Sequence, residues 1–184
     1  MKNHSSFAAG NLRAGDSLTI IFLNLISLVS ILFYNKVELW WALLFGNLFF
    51  SAIIVYLTNY AKDKTGIIKI IRDWYWYPFI LLIFKEIYIL IQSLEMSDQD
   101  KVLFYIDRMI FGVNPTDWFY QFANPILTEY LQLCYSMFYF ILLSAPFFAY
   151  IKKNYEQYYY SFFVILLGFY ISYIGYILVP AIGP

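Results

Sequence analysis

Apolar residues run almost without interruption through five stretches of the chain: Leu18 to Tyr34, Leu39 to Leu57, Tyr77 to Leu94, Ile126 to Ile151 and Tyr158 to Val179. A helix needs about 20 mostly apolar residues to cross a bilayer core, and these runs approach or exceed that length. They are continuous rather than alternating, and too long for barrel strands, so the pattern predicts helices. The expected fold is all-α, a polytopic transmembrane helical bundle of about five spans. The bundle is expected over residues 17–184, behind a cytoplasmic tail of residues 1–16.

Two connections carry a helical period of their own. Ile67, Ile68, Ile71, Trp74 and Tyr75 fall on one face, while Lys64, Lys69, Arg72 and Asp73 lie elsewhere on the wheel, as in an interfacial helix. The run Trp74 to Tyr77 adds amphipathic rings suited to the headgroup level. Further on, Ser97 is a candidate cap for a helix in which Val102, Ile106, Met109, Ile110 and Val113 share a face. Gly112 is a natural stop, and Asn114-Pro115 and Asn124-Pro125 each set a capping side chain before a proline. The outer surface is thus expected to carry a two-helix cap.

Composition agrees with the pattern: 62% of the 184 residues are hydrophobic and only 13% are charged, too apolar for a soluble domain of this length. Twelve Lys and Arg balance twelve Asp and Glu, so no basic excess points to nucleic acid. The sole cysteine, Cys134, lies inside an apolar run, where it has no partner for an internal disulfide and no companion for a zinc site. Neither a metal nor a cofactor is expected. The first apolar stretch exceeds a usual signal core and lacks a small-residue cleavage pattern, so it reads as a retained span.

Eight Lys and Arg fall at the amino terminus, at 62–72 and at 152–153, against three in the alternate connections. The positive-inside rule then places the amino terminus in the cytoplasm and the Gly183-Pro184 end outside it. Span lengths suit a bacterial inner membrane or a eukaryotic secretory one, and compactness favours the former.

Within the spans, Lys85 and Glu86 are the sharpest chemical signal, because a charge at that depth needs a partner or a water-filled cavity. Adjacent residues do not face each other on a helix, so interhelical pairing and the lining of a substrate pocket are both open. Glu129, at the outer start of the fourth span, fits either a dipole-favoured first-turn carboxylate or part of a polar path. Tyr135 offers a hydroxyl nearby. Ser161, Gly168, Ser172 and Gly175 give the fifth span a small face suited to close helix packing. Lys101 and Arg108, seven apart, are positioned either to grip a phosphate or to pair with Asp100 and Asp107.

Asp107-Arg-Met-Ile-Phe-Gly-Val-Asn-Pro115, then Trp118, Pro125-Ile-Leu-Thr-Glu129, Tyr135, and the ending Tyr176 to Pro184 together resemble the type 2 phosphatidic acid phosphatase superfamily. The likeness lies with its inositol phosphorylceramide synthase-like branch and covers roughly residues 70 to 184. It implies a metal-free enzyme acting on phosphoesters of membrane lipids or on polyprenyl diphosphates at an outward-facing site. It also implies a histidine nucleophile, a second histidine as general acid, an orienting aspartate and cations for the phosphoryl oxygens. Such a division of labour is chemically sound, since imidazole attacks phosphorus near neutral pH and fixed cations offset transition-state charge.

The chain departs from that pattern at the decisive place. Its one histidine is His4, in the tail, and the family's Pro-Ser-x-His and His-x-x-x-Asp stretches do not occur in it. No catalytic residue is therefore carried over. Lys85, Glu86, Glu129, Tyr135, Gly183 and Pro184 remain as candidates for contact with a membrane lipid or lipid phosphate. The expectation is an amino-terminal portion of such an enzyme, shortened before its catalytic motifs and inactive alone. A second expectation, from another class, is a non-enzymatic transporter, channel or lipid-binding subunit.

Overall fold

The computed structural model describes residues 12–94 and 99–181. Their order is α1 (Ala14–Leu32), α2 (Trp40–Tyr60), α3 (Ile67–Trp74), α4 (Trp76–Ser93), α5 (Asp100–Phe111), α6 (Pro115–Tyr120), α7 (Pro125–Ile151) and α8 (Tyr155–Leu178). No strand occurs among the described residues. Five segments are long and apolar enough to cross a membrane: α1, α2, α3 continued by α4, α7 and α8. The protein is an integral multi-pass membrane protein.

The chain divides into two compact units, the first built from α1 to α4 with residues 166–177 of α8, the second from α5 to α7 with the rest of α8. In the first unit, α1 buries Asp16, Thr19, Phe22, Leu23, Ile26, Ser27 and Ser30, a 3–4 spacing that makes one face. Helix α1 also packs against α2, reached through a short turn in which Val37 is fully buried. From α4 come Trp76, Phe79, Ile80, Ile83, Ile87 and Leu90. Lipid is as apolar as these side chains, so close packing and interhelical hydrogen bonds, rather than hydrophobic transfer, select the partners. Two such bonds are made by tyrosines of α8: Tyr170 to Thr19 at 2.9 Å and Tyr173 donating to the Ile80 carbonyl at 2.9 Å. The Tyr170 ring also stacks on Phe22, with centroids 4.4 Å apart.

The packed face of α8 is therefore aromatic. Gly168 and Gly175 are exposed, and a Cβ added to either would meet nothing within 4 Å, so the small face expected for helix contact is turned away from neighbours among the described residues. Large rings offer more contact area and a hydroxyl besides, which outweighs the closer approach that glycine permits.

In the second unit, α5 ends at Gly112, whose φ of 73° is the left-handed cap that only glycine adopts without strain. Asn114 accepts a bond from the Thr116 amide at α6, and Asn124 from the Leu127 amide at α7, each ahead of its proline. Both caps match the sequence reading; the cap proposed at Ser97 lies outside the described residues. The Gln99 amide donates to the Pro180 carbonyl at 3.0 Å, tying the start of α5 to the chain leaving α8. Along α7 only Pro146 and Ala149 are buried, and Pro146 sits inside the helix.

Two other details differ from expectation. The first helix begins at Ala14, inside the segment assigned to the tail, where the Asp16 carboxylate accepts from the Arg13 backbone amide at 2.8 Å and satisfies a donor at the helix start. On α3, Ile67, Ile70 and Ile71 are exposed while Arg72 and Asp73 are buried. Its polar side thus turns into the protein.

Candidate functional site

That inversion has a chemical cause. Asp16 is fully buried near the start of α1, and three groups meet its carboxylate: Arg72 through both guanidinium nitrogens at 3.2 and 2.5 Å, the Tyr75 hydroxyl at 2.7 Å, and the Arg13 amide at 2.8 Å. The Arg13 side chain reaches Asp73 at 2.7 Å. Two acids and two bases neutralise one another, and each carboxylate has its donors, which is the condition for a buried pair to be tolerated. This cluster is saturated. It holds α3 to α1 and leaves no open position for a ligand.

The second unit carries an open groove of about 430 Å³ between α5 and α6, lined by Phe104, Arg108, Gly112, Val113, Asn114, Asp117, Trp118 and Gln121. The sharp turn at Gly112 brings the two short helices together and opens the space between them. Asn114 donates to Asp117 at 2.7 Å, fixing the polar end of the groove. The Arg108 guanidinium makes no ion pair among the described residues, so its five donors are free for an incoming oxyanion. Trp118, beside it, offers an amphipathic ring of the kind that sits at a headgroup boundary. Lys101, the other half of the proposed phosphate grip, does not line the groove.

Lys85 and Glu86 share α4 but not an environment. Lys85 is exposed, whereas Glu86 is partly covered and its Oε2 is buried without a hydrogen bond. Adjacent helical positions diverge by about 100°, so the two do not act as a pair. Glu129 and Tyr135 are exposed on α7, six residues apart and on different sides of it. Gly183, Pro184 and His4 lie outside the described residues.

Sequence reasoning missed the Asp16 cluster and the buried amide of Asn47. Asp16 stands just before the first apolar run, where a carboxylate passes for a solvated tail residue. A signal did exist: Arg72-Asp73 directly precedes the Trp74 to Tyr77 belt, leaving opposite charges at membrane depth in need of partners. No family model, curated protein or solved structure matches the chain.

Proposed function

We propose that this chain binds phosphoesters of membrane lipids or polyprenyl diphosphates, the substrates of the type 2 phosphatidic acid phosphatase superfamily that its sequence resembles. The groove between α5 and α6 carries the proposal: Arg108, without an ion pair among the described residues, and Trp118 suit a phosphate headgroup whose acyl chains stay in lipid, while Asp117, the one acid of the lining, is held by the Asn114 amide. Positive-inside counting puts that groove on the extracytoplasmic side, with the amino terminus, residues 62–72 and residues 152–153 in the cytoplasm. A bacterial inner membrane is the preferred setting.

Binding and chemistry separate cleanly in this reading. Residues 1–184 contain a single imidazole, at His4, so they do not supply the two that phosphohistidine chemistry uses. Purified 1–184 should bind a lipid phosphate yet release inorganic phosphate only at background. Arg108→Gln should weaken that binding by about tenfold, the scale of one charge-assisted hydrogen bond, with helix content unchanged by circular dichroism. An unaltered affinity in Arg108→Gln, or robust turnover that survives His4→Ala, would count against the proposal.

A further inference from the structure

Helix α7 is exposed at every position from Pro125 to Ile141. Its polar residues there are not scattered. On a wheel of about 100° per residue, Thr128, Glu129, Gln132, Tyr135, Ser136 and Tyr139 fall within one arc of about 120°, with Glu129 and Tyr135 at its two edges. No apolar residue from 128 to 139 enters that arc, and Leu133, Cys134, Met137 and Phe138 occupy the opposite side. With a rise of about 1.5 Å per residue, Gln132 stands about 10 Å and Tyr139 about 21 Å along the helix from Pro125. Both depths fall within a bilayer core of about 30 Å.

Ser136 spends its hydroxyl on the Gln132 carbonyl, at 2.9 Å, but the Gln132 side-chain amide makes no hydrogen bond among the described residues. Amides and hydroxyls turned to hydrocarbon are costly, and in membrane spans such groups are met across helices. The same side of α7 already packs further along: Pro146 and Ala149 are buried there, and the Tyr150 ring meets Tyr158 of α8 with centroids 5.0 Å apart. The polar stripe thus extends a packing side beyond the residues that cover it.

We infer that this stripe is where a second copy of the chain docks, the two α7 helices lying parallel about a two-fold axis along the membrane normal. Copies inserted in one membrane share one orientation, so across such an axis each residue of the stripe meets its own counterpart at its own depth. That geometry demands groups able to bond to themselves. The Gln132 amide carries two donors and an acceptor, and the hydroxyls of Thr128, Tyr135 and Tyr139 both donate and accept. A partner recognised by charge would need ionised groups along the stripe, and it has one, Glu129. Glu129 lies at the edge of the arc, about one turn from the Asn124 cap, so two copies bring no like charges together deep in hydrocarbon. The stripe lies on a helix other than those lining the lipid-phosphate groove and does not depend on that assignment.

Disulfide trapping of the full chain in cell membranes with copper phenanthroline tests this directly. In a Cys134→Ser background, Gln132→Cys is expected to give a dimer of the chain, whereas Met137→Cys, on the opposite side, is not; nor is the unaltered chain, whose Cys134 also lies there. Energy transfer between labelled copies in liposomes then reads the equilibrium. Gln132→Leu should raise the dimer dissociation constant by about 5- to 30-fold, the range found for one polar contact between membrane helices. Gln132→Asn, which keeps the amide, should stay closer to the unaltered chain, and circular dichroism would establish that each variant is folded. The inference fails if the folded chain is monomeric in liposomes at every protein-to-lipid ratio, or if Met137→Cys is trapped as readily as Gln132→Cys. It fails equally if Gln132→Cys is trapped only in adducts with other proteins, or if folded Gln132→Leu dimerises as tightly as the unaltered chain.

Discussion

Asp16 is the residue on which the first unit turns. Its carboxylate joins α1 to Arg72 on α3 and to Tyr75 at the α3–α4 junction, so one side chain sets how three helices meet. Breaking a buried pair by removing one partner strands the other charge and costs about 3–5 kcal/mol. Asp16→Ala is therefore expected to lower the unfolding free energy in detergent by that amount, measured by denaturant titration. Tyr75→Phe removes one bond to a charged acceptor and should cost about 1.5–3 kcal/mol. The double variant Asp16→Asn/Arg72→Met, which removes both charges, should recover much of the loss of Asp16→Ala. A double variant as unstable as Asp16→Ala alone would mean that packing, not the stranded charge, dominates at this position.

At the scale of elements, the helix ends set by local caps were legible in the sequence, whereas the start of α1 and the faces the helices present were not. Asn114-Pro115, Asn124-Pro125 and Gly112 act through bonds a few residues long, and all three cap as their local chemistry dictates. Asn124→Ala should thus destabilise by about 1 kcal/mol. Gly112→Ala should cost about 1–2 kcal/mol through its positive φ alone, since a Cβ there meets nothing within 4 Å. The face that α8 presents depends on partners far along the chain. Its small stripe and its Tyr158, Phe162, Leu166, Tyr170, Tyr173 stripe are both regular, and only the positions of Thr19, Phe22 and Ile80 decide between them in the first unit. Gly168→Ala should accordingly change the melting temperature little, within about 0.5 kcal/mol, while Tyr173→Phe, losing its bond to Ile80, should cost about 0.6 kcal/mol. The reverse order in thermal unfolding would restore the small face as the packed one.

For the whole molecule, span number and class followed from apolar run length, because a bilayer allows few ways to satisfy backbone groups. The polar groups were less legible. Lys85 and Glu86 stood out as charges, yet the structure leaves Lys85 exposed and buries one carboxyl oxygen of Glu86 without a hydrogen bond, a difference that depends on neighbours far along the chain. The Asp16–Arg72 pair spans 56 positions, with no local pattern to join them. The lipid-phosphate assignment rests on one groove and on a topology that labelling can check. In a Cys134→Ser background, a cysteine at Tyr120 should react with a membrane-impermeant maleimide in intact cells, and one at Lys153 only after permeabilisation. The most direct test of the assignment is equilibrium binding of phosphatidic acid and of diacylglycerol with the same acyl chains to residues 1–184 in phosphatidylcholine nanodiscs. Recognition of the phosphate predicts that phosphatidic acid binds about tenfold or more tightly; equal affinity for the two lipids would contradict it.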